Sequence, residues 1–370
     1  MKRVEDFVSI EQFKEKTDQV VLPIIQNAVD DAYKSPLYKK YKSMKYWILG
    51  SSISMIISVT IAMICFVIQL NDRIADGMAN GMAKLVVSGL FFLAAFICFI
   101  LTLVFVKLAK KRNLIFRSFI ASKLREDNIY GKAVNAADSR WKYRNDDFEP
   151  SSIRHNYDFS TERFALKEYE SFKPAFVPRN ARLESTSPVQ TITIDDKYHA
   201  HVSVAKWLLN TRNKNGHETK QTWYSALLKI DARELKERDR ANFTYFDNKN
   251  GLQPVEMENK EFNKIFKVAS DNSTKMYQLF TPLAMEELVK LINQGLQHTN
   301  IQKAKDFEYW ANNDVVYCSF ITPSGFMDID IPVFVGKKDK FVAKIYKDVV
   351  TDIYTLYFVL ALSYIPVYLY

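Results

Sequence analysis

A chain of 370 residues with a net charge of +9, ten glycines and three cysteines has room for one or two domains and is too poor in cysteine to be a disulfide scaffold. The basic excess would suggest nucleic acid in a soluble protein. Here much of it flanks two long apolar runs, so no nucleic acid is expected and anionic lipid headgroups are the nearer partner. No Gly-rich phosphate loop and no G-x-S-x-G elbow occurs, which excludes the common signatures of nucleotide binding and serine hydrolysis.

Residues 1–46 form the first segment. Phe7, Phe13, Val20, Val21, Ile24, Ile25, Ala28, Val29 and Ala32 recur at helical spacing and predict an amphipathic helix up to about Ser35, bent or restarted at Pro23. Such a helix packs on the helix leaving the second apolar run or lies in the membrane interface.

Trp47–Leu70 and Leu85–Val106 contain no acidic or basic residue. Each is long enough to cross the ~30 Å hydrocarbon core as a helix, which takes roughly 20 residues. They predict a two-helix transmembrane hairpin over 47–70 and 85–106, joined by an external turn at 71–84 that carries Asp72, Arg73, Asp76 and Lys84. Lys34, Lys39, Lys40, Lys42 and Lys45 precede the first run, and Lys107, Lys110, Lys111, Arg112 and Arg117 follow the second. Positive charge beside a span is retained on the cytoplasmic side, so both termini are expected in the cytoplasm of a multi-pass plasma-membrane protein. Tyr46 and Trp47 fit an interfacial anchor. A cleavable secretion signal does not fit, because the first apolar run begins only at position 47.

Gly50, Ser54, Ser58 and Ala62 place a small residue at every fourth position of the first span. Such a ridge lets another helix approach closely. The partner is the second span, with Ser88, Gly89, Ala94 and Ala95, or a second copy in a homo-oligomer. Neither span holds an Asp, Glu or His, the groups that mark an ion or proton path.

Residues 107–188 read as a basic helix followed by a linker. Leu108, Ile115, Phe119, Ile120 and Leu124 supply the helix with an apolar side. From Arg125 the pattern weakens, punctuated by Asp146, Asp147, Pro150, Pro174, Pro178 and Pro188, with a short helical piece around Ser160–Tyr169.

Residues 189–370 read as an antiparallel-sheet-plus-helices domain, which makes the whole an α+β membrane protein. Val189–Ile194, His201–Leu209 and Thr222–Ile230 are strands, with turn chemistry at Asn213–Gly216. Ile265–Val268 is a further short strand. Asp271 or Ser273 can cap a helix over Thr274–Phe280, and Thr281 with Pro282 starts another that ends near Gly295. Asp306–Trp310, Val315–Thr322 and Phe326–Val335 predict a meander, with Met327, Ile329 and Ile331 on its packed face. Lys347–Tyr370 is an apolar helix containing Asp348 and Asp352. Its last part, Ile353–Tyr370, reaches the lower edge of a spanning length. It includes Thr355, Ser363 and Pro366 and has no basic residue after it; a helix buried against the sheet accounts for it, with a third span as the alternative.

Glu261-Phe262-Asn263, then Phe266-Lys267-Val268-Ala269-Ser270-Asp271, Leu279-Phe280-Thr281-Pro282 and Met285-Glu286-Glu287-Leu288 resemble a bacterial two-span membrane-protein family of uncharacterised function, domain of unknown function family 3137. Trp223–Ile230 stands where that family places an aromatic-glycine-leucine strand, with Ser225 or Ala226 in place of the glycine. The resemblance implies an N-terminal helix, two spans, a basic helix and a cytoplasmic α+β region. It implies no activity.

Candidate chemistry is sparse. His199 and His201 would share a strand face with Asp195 and Asp196 nearby, but a metal site needs further ligands and exposed strand histidines are commoner. Asp328 and Asp330 are explained by a solvated strand face, Asp271 and Thr281 by caps, and Cys318 by sheet packing. The mixed charges from Asp231 to Arg240 read as a solvated helix face. No catalytic residue, metal or cofactor is assigned. The expected function is a membrane-anchored interaction or scaffold protein that binds a protein partner or anionic lipid, with Lys107, Lys110, Lys111 and Arg112 on the headgroups. A membrane-tethered enzyme and an accessory subunit of a membrane complex or transporter are the alternatives.

Overall fold

A computed structural model describes residues 9–75, 81–145, 164–194, 198–212, 218–237, 240–245, 251–301, 303, 306–333 and 337–368. Two compact units are formed, one from Met1–Ile25, Arg125–Asp330 and Ala343–Tyr370, the other from Gln26–Leu124 and Ile331–Val342.

The second unit is helical. It takes the later half of α1 (Ile10–Lys34) together with α2 (Pro36–Ala75) and most of α3 (Gly81–Glu126). Pro36 opens α2 at the position where its missing N–H is no loss. Both helices run beyond the apolar windows marked by the sequence, and the connection at 76–80 lies outside the described residues. Pro36–Ile68 and Val86–Glu126 are long and apolar enough to cross a membrane, with only 6% of each apolar window buried.

The two long helices pack on each other through small and hydroxylic residues. Ala62 and Ser88 are buried; the Ser88 hydroxyl donates to the Ala62 carbonyl at 3.2 Å, and the Thr102 hydroxyl donates to Ser51 Oγ at 2.8 Å. The rings of Trp47 and Phe105 sit 5.9 Å apart. Ser88, Ala95 and Thr102 recur every seventh residue, the spacing of a left-handed supercoiled seam.

Below the apolar windows Phe116, Ile120 and Leu124 form the buried stripe of α3. Tyr33, Tyr38 and Tyr41 close around Phe116 at 5.7–6.3 Å, and Lys123 pairs with Asp31. The sequence placed Leu108 and Ile115 on this side, but both are exposed. At ~100° per residue they lie roughly a quarter turn off the stripe.

The first unit is built on a sheet with every pair antiparallel. Its elements are α4 (Ile129–Ala137), β1 (Trp141–Asn145), α5 (Leu166–Ser171), β2 (Arg182–Thr186), β3 (Gln190–Ile194), β4 (Tyr198–Arg212), β5 (Glu218–Asp231), β6 (Asn242–Tyr245), β7 (Gln253–Pro254), α6 (Lys260–Ile265), β8 (Ala269–Ser270), α7 (Ser273–Leu279), α8 (Pro282–Gly295), β9 (Phe307–Asn312), β10 (Val315–Ile321) and α9 (Lys338–Tyr368). The strand order is β1-β3-β4-β5-β10-β9-β6-β8-β7, with β2 also on β4.

One face of this sheet is apolar. Ile192, Ala200, Val202, Leu228, Cys318 and Phe320 are buried there, and Cys318 meets Ser363 of α9 at 3.3 Å. From Ile353 to Ser363 every residue of α9 is at most 5% exposed. The described part of the terminal apolar segment is therefore a buried helix and not a third span. A helix with apolar residues on all sides needs cover all round, which the sheet, Trp141 at 5.0 Å from Tyr357 and Phe13 of α1 at 5.2 Å from Tyr354 supply.

Several local expectations are corrected. Part of the expected linker is α4 and β1, and Trp141 pairs with Ile194 at the sheet edge. The expected strand Ile265–Val268 is displaced: Ile265 ends α6, whose cap Asn259 accepts from the Glu261 and Phe262 amides, and the strand is Ala269–Ser270. The cap of α7 is Asn272, which accepts from the Lys275 amide. Thr281 caps α8 as expected, accepting from the Ala284 amide. Among the described residues of the run from Asp231, positions 231–236 are not helical: Asp231 ends β5 and Arg233 folds back onto its carboxylate. The turn at Asn213–Gly216 lies outside the described residues.

Gly295 packs α8 onto α9, and a β-carbon there would stand 2.7 Å from the Phe358 ring, whereas at Gly89 it would meet nothing within 4 Å. Overpacking a core costs ~1–3 kcal/mol. Gly295→Ala should lower the thermal midpoint of the detergent-solubilised protein, and Gly89→Ala should leave it unchanged.

Candidate functional site

The basic residues singled out by sequence stand on α3 where it leaves its apolar window. Lys107, Lys110 and Lys111 are exposed; Arg112 is half-buried and its Nη1 donates to the Lys40 carbonyl at 2.9 Å. Lys39, Lys40, Lys42 and Lys45 are exposed on α2, with Lys45 Nζ 4.8 Å from the Tyr41 ring centre. A continuous helix holds the α3 cations in place without a loop, and the Arg112–Lys40 bond ties the two basic stretches together. Of the small-residue ridge, Ala62 is buried and Ser58 half-buried, whereas Gly50 and Ser54 face outward.

The sheet's second face carries polar chemistry. Side chains opposite one another in antiparallel register share a face, so Thr191, His201, Lys229, Tyr317, Trp310 and Thr244 form one row across six strands. Above it lies α5. Lys229 Nζ donates to Glu168 Oε1 at 2.8 Å, and the Tyr317 hydroxyl donates to the same oxygen at 2.7 Å. Burial opposes the Glu168 charge, but these two donors outweigh it and hold the carboxyl below its usual value. Phe172 stacks on Tyr317 at 4.1 Å. The pair is a fixed, mutually neutralised lysine and carboxylate.

His201 is buried, its Nδ1 3.0 Å from the Thr191 hydroxyl, and His199 Nδ1 stands 3.1 Å from Thr193 Oγ1. Each ring is thus engaged by the threonine opposite it in register. Asp195 and Asp196 lie outside the described residues, and among the described residues no group of three or more His, Cys, Asp or Glu is arranged to hold a metal ion.

A second cluster, less visible in the sequence, surrounds α9. Asp352 is 2% exposed. Its carboxylate accepts from the Met327 amide at 2.8 Å, Asn300 Nδ2 at 3.0 Å and the Tyr130 hydroxyl at 3.4 Å. Burial first, and then the charge of Asp348, push its pKa well above the ordinary carboxyl value. Asp348, one turn earlier, is pushed up to about 6 by burial and by the nearby charges of Asp330 and Asp328. Asp328 is exposed and paired with Arg125, and Asp328 and Asp330 do not stand on a strand. Met327 between these elements has φ 57°, which breaks the third strand of the expected meander. The signal in the sequence was two acids four residues apart in an apolar helix; their partners lie too far along the chain to be inferred.

A cavity of about 530 Å³ opens between the start of α1 and the end of α8. Glu11, Glu287, Lys290, Gln297, His298 and Tyr354 are among its lining residues. The lining mixes both charges.

Removing one member of a fully buried ion pair costs ~3–5 kcal/mol, whereas replacing both with apolar residues is often neutral. The Lys229–Glu168 pair is part-buried, so Lys229→Met should destabilise the domain by less than that, and the double change Lys229→Met with Glu168→Leu should restore most of the loss in chemical denaturation. A double variant as unstable as the single one would give Lys229 a role beyond the pair.

Residues 194–304 match the family model described as Protein of unknown function (DUF3137). The match includes Lys229, His201 and Asn300; Glu168, Tyr317, Asp348 and Asp352 lie beyond it. No curated protein and no solved structure matches the chain. Over residues 194–304 the chain is similar to this family of uncharacterised function.

Proposed function

We propose that the protein is a membrane anchor that holds its α+β domain at the cytoplasmic face of the plasma membrane and binds anionic lipid headgroups through the basic collar. The observation that carries this reading is the continuity of α3. One unbroken helix passes from an apolar window that is 6% buried to the exposed Lys107, Lys110 and Lys111. Apolar side chains left bare in water are compensated by nothing; in a bilayer they are at their lowest cost. The cations that follow then stand at headgroup depth, where each contributes about 1 kcal/mol towards an anionic surface. The α2 lysines add to the same collar, and the charge asymmetry across the hairpin favours both termini inside. A protein partner recruited by the α+β domain would use the same anchor, which is the scaffold part of the reading.

The test uses the full chain in nanodiscs of mixed zwitterionic and anionic lipid. Lys107→Glu, Lys110→Glu and Lys111→Glu together should reduce the anionic lipid retained per protein several-fold at low salt. The difference should shrink at high salt, where the Debye length falls to about 3 Å. Unchanged retention would remove the headgroup-binding role.

A further inference from the structure

The cavity between the start of α1 and the end of α8 contains a polar group that the fold does not satisfy. Tyr354 is 3% exposed, and its ring packs against Phe13 at 5.2 Å and Tyr357 at 6.3 Å. Among the described residues its hydroxyl has no hydrogen-bond partner. A β-carbon at Gly295 would stand 3.3 Å from that hydroxyl, and Gly295 and Tyr354 both line the cavity. The hydroxyl is therefore the part of Tyr354 that meets the open space. A buried hydroxyl without a partner is costly, and a ligand in the cavity removes that cost.

The charges of the lining select the sign of the ligand. The start of α1 is already satisfied: Ser9 Oγ accepts from the Gln12 amide and Gln12 Oε1 from the Ser9 amide, each at 3.3 Å. The Glu11 carboxylate takes the Ser9 hydroxyl and its own amide. An anion would meet that carboxylate where the helix start is most attractive to it. The end of α8 is the opposite case. Its last turn holds no basic residue, so nothing within the helix offsets the negative end of its dipole. Lys290 stands 3.7 Å from Glu287, and the two cancel. With His298 neutral, Glu11 leaves the lining one negative charge in excess. Glu11 is also close to Tyr354: its charge adds to burial in pushing the phenol up to about 12.

We propose that this cavity binds a small polar primary amine, whose ammonium group sits between the Glu11 carboxylate and the Tyr354 hydroxyl. An ammonium has three N–H donors and no acceptor, so it serves both oxygens at once. The carboxamides of Asn293, Gln294 and Gln297 line the same space; they donate and accept, which suits hydroxyl or amide groups on the rest of the molecule. A volume of about 530 Å³ is that of a small-molecule site, for which ~300–1,000 Å³ is usual.

Ligand-observed NMR on the full chain, in nanodiscs of choline lipid, measures the affinities of aminobutanol and glucosamine beside their uncharged counterparts butanediol and glucose. Each amine should bind about fivefold tighter than its counterpart, the contribution of one solvent-accessible ion pair. Glu11→Gln should abolish that difference. Tyr354→Phe removes only the unpartnered hydroxyl, so it should weaken both amines several-fold while leaving the thermal midpoint unchanged. No binding of either amine, equal binding of amines and counterparts, or undiminished amine binding in Glu11→Gln and Tyr354→Phe would overturn the proposal.

Discussion

Apolar surface has to leave water, and three helices of this chain meet that requirement in two ways. The later part of α9 is apolar on every side and lies against the sheet, with nothing from Ile353 to Ser363 more than 5% exposed. The apolar windows of α2 and α3 are equally rich in Ile, Leu, Val and Phe, yet only 6% of each is covered. Contact between α2 and α3 includes Ser, Ala and Thr, the small residues that let membrane helices approach closely. Burial, more than composition, separates the core helix α9 from the two helices apolar enough to cross a membrane.

The polar groups follow the matching rule that a buried charge needs a partner. Lys229 and Glu168 satisfy one another with Tyr317 as a second donor, and the threonines of β3 occupy the histidine rings of β4. These are structural solutions that hold a polar sheet face together beneath α5. At α9, Asp352 collects three donors and Asp348 accepts from the Asp330 amide at 3.4 Å.

Much of this architecture was legible in local patterns. The two charge-free runs, the 3.6-residue spacing before them, the alternation in β3 to β5 and the Thr281-Pro282 start of α8 each express one dominant local force. Where the structure departs from that reading, a residue distant in sequence or a small capping group decides. Asn259 caps a helix that runs to Ile265, the first residue of the strand expected at Ile265–Val268. Trp141 becomes a strand residue only because Ile194 lies beside it. Met327 breaks the meander because Asp352, near the end of the chain, holds its amide. The same reason hid the two polar clusters: Lys229 and Glu168 lie far apart in sequence, and Tyr130, Asn300 and Asp352 come from three separate elements.

The central claim is that the α2–α3 hairpin crosses the membrane with the collar inside. It is tested most directly by thiol labelling in intact cells. In a background with Cys65, Cys98 and Cys318 replaced, Ala79→Cys reports on the connection between the helices and Ser118→Cys on the collar side of α3. A membrane-impermeant maleimide should label Ala79→Cys in intact cells and Ser118→Cys only after permeabilisation. Labelling of Ser118→Cys in intact cells, or release of the protein from membranes by an alkaline wash, would contradict the account.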